Sequence, residues 1–548
     1  MKREGFVPWP AELADRYAAA GYWRGTPLGS WLWRWAGQYQ QRIAITDGDT
    51  QLSYQELAER ADALAENLLG LGLSDGDNIL VQLPNCWEFA ALLFACQRIG
   101  VAPVLALLPH RGHELAYLAD LADIAAIVVP GQWHDFDHEE LAAGIAATAK
   151  RPCQVIVLGD VVRRPHVSLR PLLAVPPGVA ERRARLDAIA PSSGDVALFV
   201  LSGGTTGTPK MIARTHDDYE YNARRSAEVS GFGPDTVYLV TLPLAHNFPL
   251  GSPGLFGTLV HGGRAVMVRS PRPEVAFPVI AREQVTHTSL VPAVAVRWAE
   301  AAAGSGELAS LRVVQVGGSP MAPAVAARLG PAMGCHLQQV YGMAEGLLNY
   351  TRFDDPPEVL IRTQGRPVCP DDELRIVDEL GNEVPAGQPG ELLTRGPYTP
   401  RGYFRAAEHN ALAFTPDGWF RTGDVVRWHE SGNLVVEDRV KHLINRGGEK
   451  VSVSEVEELL LAMPQVRHAT VVPVPDDVLG ERVCACVVLN EGCALDLQQV
   501  RASFTEWGVA KYKLPERLEV LAELPLTPIG KVDRTALKRA VTDAEVHA

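Results

Sequence analysis

The chain has 548 residues, which is too many for a single hydrophobic core, so we expect at least two domains. Hydrophobic residues make up 47% and charged residues 21% of the chain, a composition that is typical of globular proteins and disfavours extensive disorder. The formal net charge of −14 disfavours a sequence-independent nucleic-acid binder, which would need clustered Lys and Arg, and it gives no reason to expect an anionic membrane surface as partner.

Strand and helix patterns alternate along the N-terminal part of the chain. Apolar residues at helical spacing predict a helix over 54–69, which Gly70 would end. Short apolar runs near Pro or Gly are typical of buried parallel strands. Strands are predicted at 78–83, 125–129, 155–158, 237–242, 265–268, 311–316 and 336–340, and a further helix at 87–99. This alternation indicates an α/β architecture. It is interrupted at 161–191, where a high content of Pro and Arg predicts an irregular connection.

The pattern changes towards the C-terminus. Short strands separated by Gly-containing turns predict a β-rich subregion. These strands are predicted at 373–377, 390–394 and 434–437. The remainder indicates a separate small α+β unit, in which Ser454 followed by Glu457 predicts a capping box at a helix start. We therefore predict a large N-terminal domain of α/β sheets, 1–438, and a small mobile C-terminal domain, 439–548.

The N-terminus and the cysteines indicate the cellular compartment. Residues 1–10 are polar and lack the apolar core of a signal peptide. The most apolar stretch, 89–108, is interrupted by Gln97, Arg98 and Pro103, so no membrane span is expected. The eight cysteines include no Cys-x-x-Cys pair. We predict a cytoplasmic protein with reduced, mostly buried thiols.

The strongest local motif lies between two strand-like runs, 196–201 and 211–215. Three glycines let the backbone fold closely around an anion, and four hydroxyl side chains and a lysine add donors. The candidate phosphate-binding residues of this segment are Ser202, Gly203, Gly204, Thr205, Thr206, Gly207, Thr208 and Lys210. Because Pro209 precedes the lysine and no helix follows at once, the segment is not a Walker A loop. The composition favours a polyphosphate-binding loop over a Gly/Thr-rich surface turn.

The decapeptide 201–210 resembles the phosphate loop of the adenylate-forming enzymes, which include acyl-CoA synthetases, the adenylation domains of peptide synthetases and firefly-type luciferases. Further motifs follow in the order of that family, and the resemblance covers essentially the whole chain. It implies that the protein uses ATP to activate a carboxylic acid as an acyl-adenylate and passes the acyl group to a thiol. Such chemistry needs no protein nucleophile, because positioning and electrostatics carry both steps.

Several motifs resemble the nucleotide site of the family. In the segment from Tyr341 to Glu345, the resemblance implies that Tyr341 stacks near adenine and that Glu345 helps to hold Mg²⁺, a role that suits a carboxylate. Ala344 stands where the family usually has Thr, which removes one hydroxyl. Asp424 matches the residue that accepts hydrogen bonds from both ribose hydroxyls. The other implied nucleotide contacts are Gly318 in the adenine-side loop, Val340, and Arg439 at the ribose or phosphate.

Three motifs near the C-terminus resemble the moving parts of the family. Lys531 matches the lysine that enters the active site for adenylation, where it can contact the carboxylate and the α-phosphate. Lys441 matches the hinge residue. Gly447 and Gly448 resemble the loop that lines the pantetheine tunnel after the small domain rotates. The resemblance implies that rotation at Lys441 exchanges Lys531 for this loop between the two half-reactions.

The segment 243–254 resembles the branch of the family that activates 2,3-dihydroxybenzoate or salicylate. The resemblance implies that Asn247 bonds the ortho-hydroxyl of the acid and that Ser252 lies near the 3-position of the ring. His246 matches the aromatic gate between the acid pocket and the tunnel. The other implied pocket residues are Val340 and Tyr341. Salicylate activators of this branch tend to carry Cys in place of Ser252, and a buried polar group penalises a ligand that lacks its partner. We therefore predict 2,3-dihydroxybenzoate in preference to salicylate.

The acceptor thiol is expected in trans, because no carrier domain follows residue 548. The resemblance to this branch implies the phosphopantetheine arm of an aryl carrier protein in siderophore biosynthesis, with coenzyme A as the alternative. Other interpretations stay open: a salicylate–AMP ligase, an acyl-CoA ligase for another small acid, a nucleotide-binding regulator without catalysis, and a luciferase-like oxidase. The sequence does not specify the oligomeric state.

Overall fold

The computed structural model describes residues 3–202, 209–303, 305–319, 321–439, 443–446, 449–476, 480–507, 509, 513–527 and 531–546. Its helices are α1 (Ala11–Ala19), α2 (Leu28–Tyr39), α3 (Tyr54–Gly70), α4 (Trp87–Arg98), α5 (Gly112–Ala122), α6 (His138–Thr148), α7 (Leu169–Leu172), α8 (Val179–Ala188), α9 (His216–Val229), α10 (Asn247–Gly251), α11 (Gly254–Val260), α12 (Pro273–Glu283), α13 (Pro292–Ala301), α14 (Pro323–Met333), α15 (Pro357–Arg362), α16 (Ala407–Ala413), α17 (Val453–Leu461), α18 (Leu497–Glu506) and α19 (Arg534–Val546). Its strands are β1 (Ile43–Asp47), β2 (Thr50–Ser53), β3 (Asn78–Val81), β4 (Ala102–Leu105), β5 (Ile124–Pro130), β6 (Gln132–Trp133), β7 (Phe136–Asp137), β8 (Gln154–Leu158), β9 (Val167–Ser168), β10 (Val196–Leu201), β11 (Met211–Thr215), β12 (Val237–Val240), β13 (Arg264–Met267), β14 (His287–Leu290), β15 (Val313–Gly317), β16 (His336–Met343), β17 (Gly346–Tyr350), β18 (Arg366–Pro367), β19 (Glu373–Val377), β20 (Gly390–Arg395), β21 (Phe420–Trp428), β22 (Leu434–Arg439), β23 (Leu443–Arg446), β24 (Glu449–Ser452), β25 (Val466–Asp476), β26 (Gly480–Leu489) and β27 (Arg517–Val520).

Two large sheets form the framework of the N-terminal part. One has nine strands in the order β18-β17-β16-β15-β14-β12-β13-β1-β2, and the other has seven in the order β11-β10-β4-β3-β5-β8-β9. Parallel pairing predominates, as in β3–β4, β5–β8 and β15–β16. Helices α4 and α11 meet in the buried core, where the ring centroids of Phe94 and Phe256 are 5.3 Å apart. The predicted α/β architecture is confirmed.

Helix α3 shows how closely some local predictions hold. The helix predicted over 54–69 spans Tyr54–Gly70, one residue beyond the predicted end. Ser53 caps it: the Ser53 side chain accepts from the Glu56 N–H, and the Glu56 carboxylate accepts from the Ser53 N–H at 2.8 Å. Because this reciprocal cap satisfies otherwise unpaired N–H groups, it defines the start of the helix.

The irregular connection predicted for 161–191 is wrong, because this segment contains the helices α7 and α8. Gly178, with a φ of +84°, turns the chain into α8 directly after two prolines, which the composition alone did not indicate. Arg182 in α8 is buried, and its Nε donates to a carboxylate oxygen of Glu66 at 3.0 Å. This contact joins α8 to α3.

The C-terminal part has its own sheet and its own core. The meander β19-β20-β21-β22 precedes it and corresponds to the predicted β-rich subregion. The C-terminal sheet has the order β24-β23-β26-β25, and β27 runs parallel to β26. The buried side chains of this core include Val456 in α17, Val483 in β26 and Phe504 in α18. The predicted small α+β fold is confirmed.

Helix α17 begins two residues earlier than the sequence predicts. Its cap is Ser452, whose hydroxyl accepts from the Glu455 N–H at 3.3 Å, so the capping box predicted at Ser454 and Glu457 is wrong. Each of the two serines is followed three positions later by Glu, so the local pattern does not distinguish them. The tertiary fold engages Glu457 elsewhere, in an ion pair with Arg534 at 2.7 Å.

All eight cysteines are free thiols, and Cys484 and Cys486 are buried together in one apolar cluster of the C-terminal part. Among the residues that the structure describes, no helix is both long and apolar enough to cross a membrane.

Candidate active site

The predicted phosphate loop joins β10 to β11, and its two ends are held together. The Ser202 N–H donates to the Lys210 carbonyl at 3.0 Å, and the Lys210 N–H donates to the Ser202 hydroxyl at 3.1 Å. The predicted loop residues between them lie outside the described residues; they are Gly203, Gly204, Thr205, Thr206, Gly207 and Thr208. The Lys210 Nζ lies 5.8 Å from the centre of the Tyr403 ring.

Tyr403 connects the end of the phosphate loop to Glu345. Its hydroxyl donates to Glu345 Oε1 at 2.8 Å, and hydrogen bonds to a carboxylate are stronger than those between neutral groups. Its buried ring packs against Phe414 and Phe420, with centroid distances of 5.9 and 6.3 Å. Lys210 and Glu345 therefore both lie next to Tyr403. A cation and a carboxylate so placed can bind the phosphate and metal portions of a metal–nucleotide complex.

Tyr341 and Asp424 are joined by a hydrogen bond. Tyr341 in β16 donates its hydroxyl to Asp424 Oδ2 at 2.8 Å. Asp424 lies in β21 and is buried, with its backbone N–H donating to the Thr422 hydroxyl at 3.0 Å. Arg439 stands opposite Asp424 in the β21–β22 ladder, although its side chain lies outside the described part of the chain. The predicted adenine and ribose contacts therefore lie side by side.

The Gly317–Gly318 turn after β15 meets the C-terminal lysine. A Cβ built on Gly317 would lie 2.5 Å from the Val340 carbonyl oxygen, so a larger residue would displace β16. Gly318 has a φ of +93°, and a Cβ built on it would lie 3.9 Å from Lys531 Nζ. The backbone N–H of Lys531 donates to the Thr527 hydroxyl at 3.1 Å. The predicted catalytic lysine thus reaches the predicted adenine-side loop.

His246 caps α10 and is uncharged at neutral pH. Its Nδ1 accepts from the Phe248 N–H at 3.3 Å, which leaves the imidazole proton on Nε2. Burial, and to a smaller extent the positive charge of Lys531, lowers the pKa of His246 to about 4. The ring can therefore offer an aromatic face and one N–H near Lys531 without adding a second positive charge.

Asn247 lies at the centre of a hydrogen-bonded set that we call the acid-site triplet: Tyr219, Asn247 and Ser252. The Tyr219 hydroxyl donates to Asn247 Oδ1 at 2.9 Å, and Asn247 Nδ2 donates to Ser252 Oγ at 3.1 Å. The three residues are no more than 5% exposed. Val340 is buried close by in the apolar cluster that includes Phe248. The structure therefore places the two predicted acid-binding residues in direct contact.

A buried ion pair links the acid-site triplet to the segment that carries Glu345. Arg214 Nε and Asp218 Oδ1 are 2.6 Å apart and fully buried. The Arg214 guanidinium also donates to the Ala344 carbonyl at 3.2 Å, and its Cζ lies 4.9 Å from the centre of the Tyr219 ring. Arg214 therefore contacts both Tyr219, next to the predicted acid-binding residues, and the residue that precedes Glu345, the predicted metal ligand.

Sequence reasoning did not predict Tyr219, Tyr403 or Arg214 as parts of the site. Arg214 lies in β11 and Asp218 in the first turn of α9, so the four-residue spacing of helical pairs does not predict their contact. Neither tyrosine stands in a recognisable motif, so no local pattern indicates its partner. Lys441, Gly447 and Gly448 lie outside the described residues, and their roles stay predictions.

Comparison with known proteins identifies the family of the chain. The model of the AMP-binding enzymes matches residues 32–404, and that of the AMP-binding enzyme C-terminal domain matches residues 455–531. A salicylyl-CoA synthase / salicylate adenylyltransferase from a Streptomyces species is 58% identical, over 99% of this chain and 98% of the relative. The 2,3-dihydroxybenzoate-AMP ligase of Bacillus subtilis is 46% identical over 98% of each protein. The salicyl-AMP ligase / salicyl-S-ArCP synthetase of Mycobacterium tuberculosis is 46% identical, over 98% of this chain and 94% of the relative. The apo structure of MbtA from Mycobacterium smegmatis has a TM-score of 0.75 and 46% identity, covering 98% of both chains.

The family models and these relatives define the class: the chain belongs to the family of AMP-binding, adenylate-forming enzymes. Within that family it is close to the ligases for salicylate and 2,3-dihydroxybenzoate. The family resemblance inferred from the motifs is confirmed.

Proposed function

We propose that this protein activates a 2-hydroxyaryl acid, foremost salicylate, as its adenylate and then transfers the acyl group to a thiol. The observation that carries the acid class is the buried amide of Asn247. Its oxygen accepts from Tyr219, and its nitrogen donates to Ser252. Because an amide nitrogen carries two hydrogens, one hydrogen remains for an ortho-hydroxyl oxygen of the acid.

In the first half-reaction, a carboxylate oxygen of the acid attacks the α-phosphorus of ATP. A new O–P bond forms while the bond to the bridging oxygen breaks, and pyrophosphate leaves. We assign the polyphosphate to the loop that Ser202 and Lys210 close, the adenine to Gly318, Val340 and Tyr341, and the ribose to Asp424 and Arg439. The hydrogen bond between Tyr341 and Asp424 supports this assignment, because it fixes both groups relative to each other before ATP binds.

Lys531 is the group that we assign to the reacting atoms. Its Nζ approaches Gly318 from the C-terminal part, and a cation there offsets the charge that develops on the α-phosphate. Neutral His246 lies close enough for the charge of Lys531 to lower its pKa, and it does not compete for the substrate carboxylate. This arrangement suits adenylation.

The second half-reaction needs a different arrangement of the two proposed domains, 1–438 and 439–548. We propose that rotation at Lys441 withdraws Lys531 and brings Gly447 and Gly448 to the site. The thiol then loses its proton to solvent, its sulfur bonds to the acyl carbon, the bond from that carbon to the phosphate oxygen breaks, and AMP leaves. His246, which caps the helix carrying Asn247, would line the path of the incoming thiol.

Magnesium fits this site through Glu345. Within the described ranges, no three His, Cys, Asp or Glu residues are grouped so that they could hold a metal ion. One carboxylate is nevertheless sufficient for Mg²⁺ when phosphate oxygens and water supply the other ligands. Bound there, the ion would neutralise phosphate charge. Tyr403 would orient the carboxylate that holds it, since its hydroxyl donates to Glu345 Oε1.

Salicylate is placed ahead of 2,3-dihydroxybenzoate here, which reverses the order predicted from the sequence. The relative named for salicylate is 58% identical, whereas the Bacillus subtilis 2,3-dihydroxybenzoate ligase is 46% identical. A large penalty against salicylate would require Ser252 to lack a hydrogen-bond partner in the salicylate complex. Its oxygen, however, already accepts from Asn247 at 3.1 Å, so the penalty against salicylate is smaller than predicted. The second candidate remains 2,3-dihydroxybenzoate, because the Ser252 hydroxyl can donate to a 3-hydroxyl.

The acceptor that we propose is the phosphopantetheine thiol of an aryl carrier protein in a siderophore-type pathway. The name of the Mycobacterium tuberculosis relative includes a salicyl-S-ArCP synthetase activity. Coenzyme A is the alternative, since the name of the Streptomyces relative includes a salicylyl-CoA synthase activity. Both thiols end in the same pantetheine arm, so the chemistry of transfer is the same.

The test is acid-dependent ATP–pyrophosphate exchange with salicylate, 2,3-dihydroxybenzoate, 3-hydroxybenzoate and benzoate. We expect the highest kcat/KM with salicylate, and both ortho-hydroxy acids above the other two. Exchange confined to acids without an ortho-hydroxyl would contradict the assignment of Asn247, and exchange with none of them would contradict the proposed activity. Mass spectrometry after addition of either thiol then identifies the acceptor by the salicyl thioester that forms.

A further inference from the structure

Tyr219 is held in place on several sides. The Arg214 Cζ lies 4.9 Å from its ring centre, and the Phe256 ring meets it edge-on at 5.7 Å. The backbone of Gly251 packs so close that a Cβ there would lie 2.7 Å from the Tyr219 Cζ, and Asn222 donates to the Gly251 carbonyl. Burial raises the pKa of the Tyr219 phenol well above its ordinary value, so the hydroxyl keeps its proton. The position of this donor is therefore fixed.

The Tyr219 proton determines which way the Asn247 amide is oriented. Across the described residues, Asn247 Oδ1 is the one hydrogen-bond acceptor of this hydroxyl, at 2.9 Å. If the amide turned over, its NH₂ group would face the hydroxyl, and the phenolic proton would be buried without an acceptor, which is unfavourable. Ser252 does not oppose the observed orientation, because a hydroxyl can either accept or donate.

We infer that Tyr219 is a positioning residue that makes the acid site select ortho substituents that accept a hydrogen bond and reject those that can only donate one. The inference rests on the proposed function, in which Asn247 meets the ortho substituent of the acid. With Oδ1 bound by Tyr219, Asn247 offers Nδ2 to its other neighbours. One hydrogen of Nδ2 goes to Ser252 and the other to the ortho position. Because Tyr219 already occupies one lone pair of Oδ1 and holds the amide in this orientation, the group that Asn247 turns towards the ortho position is a donor.

Salicylate and 2-aminobenzoate distinguish the two kinds of substituent, because the two acids are nearly equal in size and shape. The ortho-hydroxyl of salicylate donates to its own carboxylate and keeps oxygen lone pairs for Asn247. In 2-aminobenzoate, one N–H also donates to the carboxylate, but the nitrogen lone pair is delocalised into the ring. The second N–H would then point at the Asn247 NH₂, and two donors would oppose each other.

The first experiment uses the wild-type enzyme and measures ATP–pyrophosphate exchange with salicylate, 2-fluorobenzoate and 2-aminobenzoate. We expect kcat/KM for salicylate to exceed that for 2-aminobenzoate by at least about 100-fold, because a site built for a hydrogen bond rejects a mismatched partner strongly. The fluorine of 2-fluorobenzoate can only accept, so this acid should rank between the two. Equal use of salicylate and 2-aminobenzoate would overturn the inference and leave the proposed function intact. If none of the three ortho-substituted acids supported exchange, both the inference and the proposed function would be overturned.

The second experiment removes the Tyr219 hydroxyl, which donates to Asn247 Oδ1. Tyr219→Phe retains the ring but removes the hydroxyl, so the Asn247 amide can turn to suit either substituent. We expect the ratio of kcat/KM for salicylate to that for 2-aminobenzoate to fall by about tenfold or more. Because both acids are measured on one preparation, the ratio is independent of the fraction of folded enzyme.

The matched control is Tyr238→Phe, which removes another buried hydroxyl, one that donates to Ser289 at 3.0 Å. This variant should keep the wild-type ratio. An unchanged ratio in Tyr219→Phe, or an equal fall in both variants, would overturn the inference. If Tyr219→Phe does not fold, the comparison of the three acids on the wild-type enzyme still tests whether the site selects ortho substituents that accept a hydrogen bond.

Discussion

Replacing Tyr403 by Phe removes a single hydroxyl from the contact between Glu345 and the phosphate loop. The bond lost runs from the Tyr403 hydroxyl to Glu345 Oε1, at 2.8 Å. The ring would still pack against Phe414 and Phe420 and lie beside Lys210, so we expect the local packing to survive. A hydrogen bond to a charged group contributes about 1.5–3 kcal/mol, which corresponds to a factor of about 10 to 150 in kcat/KM if the bond is fully used in the transition state.

The assay for this variant is ATP–pyrophosphate exchange at saturating salicylate, with ATP and Mg²⁺ varied. We expect kcat/KM for ATP to fall by about 10- to 150-fold and the Mg²⁺ concentration at half-maximal rate to rise, because the carboxylate that we assign to the ion loses its orientation. The KM for salicylate should stay close to the wild-type value, since Tyr403 contacts the phosphate side of the site.

A double-mutant cycle tests whether Tyr403 acts through Glu345. If Tyr403 acts through Glu345, then Tyr403→Phe should add little further loss in a Glu345→Gln background. The control is Tyr54→Phe, which removes a buried hydroxyl that donates to the Gly263 carbonyl at 2.6 Å, and its exchange rate should equal that of the wild type. A fall in kcat/KM for ATP of less than about threefold in Tyr403→Phe would refute this role. So would an equal fall from Tyr403→Phe in the wild-type and in the Glu345→Gln backgrounds.

Three further predictions concern the ion pair, the buried histidine and the C-terminal lysine. Arg214→Met should lower the free energy of unfolding, measured with denaturant, by about 3–5 kcal/mol, because Asp218 stays buried without its partner; a loss below about 1 kcal/mol would contradict this. The pKa of His246 is about 4 in the folded protein and 6.5 ordinarily, so the stability that its neutral form contributes is complete above pH 6.5 and is lost as the pH falls towards 4. His246→Gln should therefore show a shallower loss of stability over that pH range, and an identical slope would argue against the shift. Lys531→Ala should slow exchange by about 100-fold or more, while thioester formation from supplied salicyl-adenylate changes only a few-fold. Equal losses in both half-reactions would be inconsistent with a role confined to adenylation.

Much of the fold followed from local patterns. The strands around the phosphate loop lie where the sequence predicts them, because continuous apolar runs bounded by Gly and Pro suit buried strands. The prediction failed at 161–191, where Pro and Arg suggested an irregular connection. Helix α8 lies there, and its buried Arg182 bonds a carboxylate of α3 that is 116 positions away, a partner that no local pattern contains. The start of α17 was misplaced for a similar reason, since the partner of Glu457 lies 77 positions away in the C-terminal helix.

By itself, the sequence determined the class of chemistry. Binding ATP requires particular residue types at short spacings, and those types are visible in Ser202 to Lys210, in Glu345 and in Asp424. The tertiary structure decided how these groups are oriented and which side chains they contact. Tyr219 lies 28 positions before Asn247, and Tyr403 lies 58 positions after Glu345. The direction of a hydrogen bond depends on which donor the fold places opposite an acceptor, and a linear pattern does not contain that information.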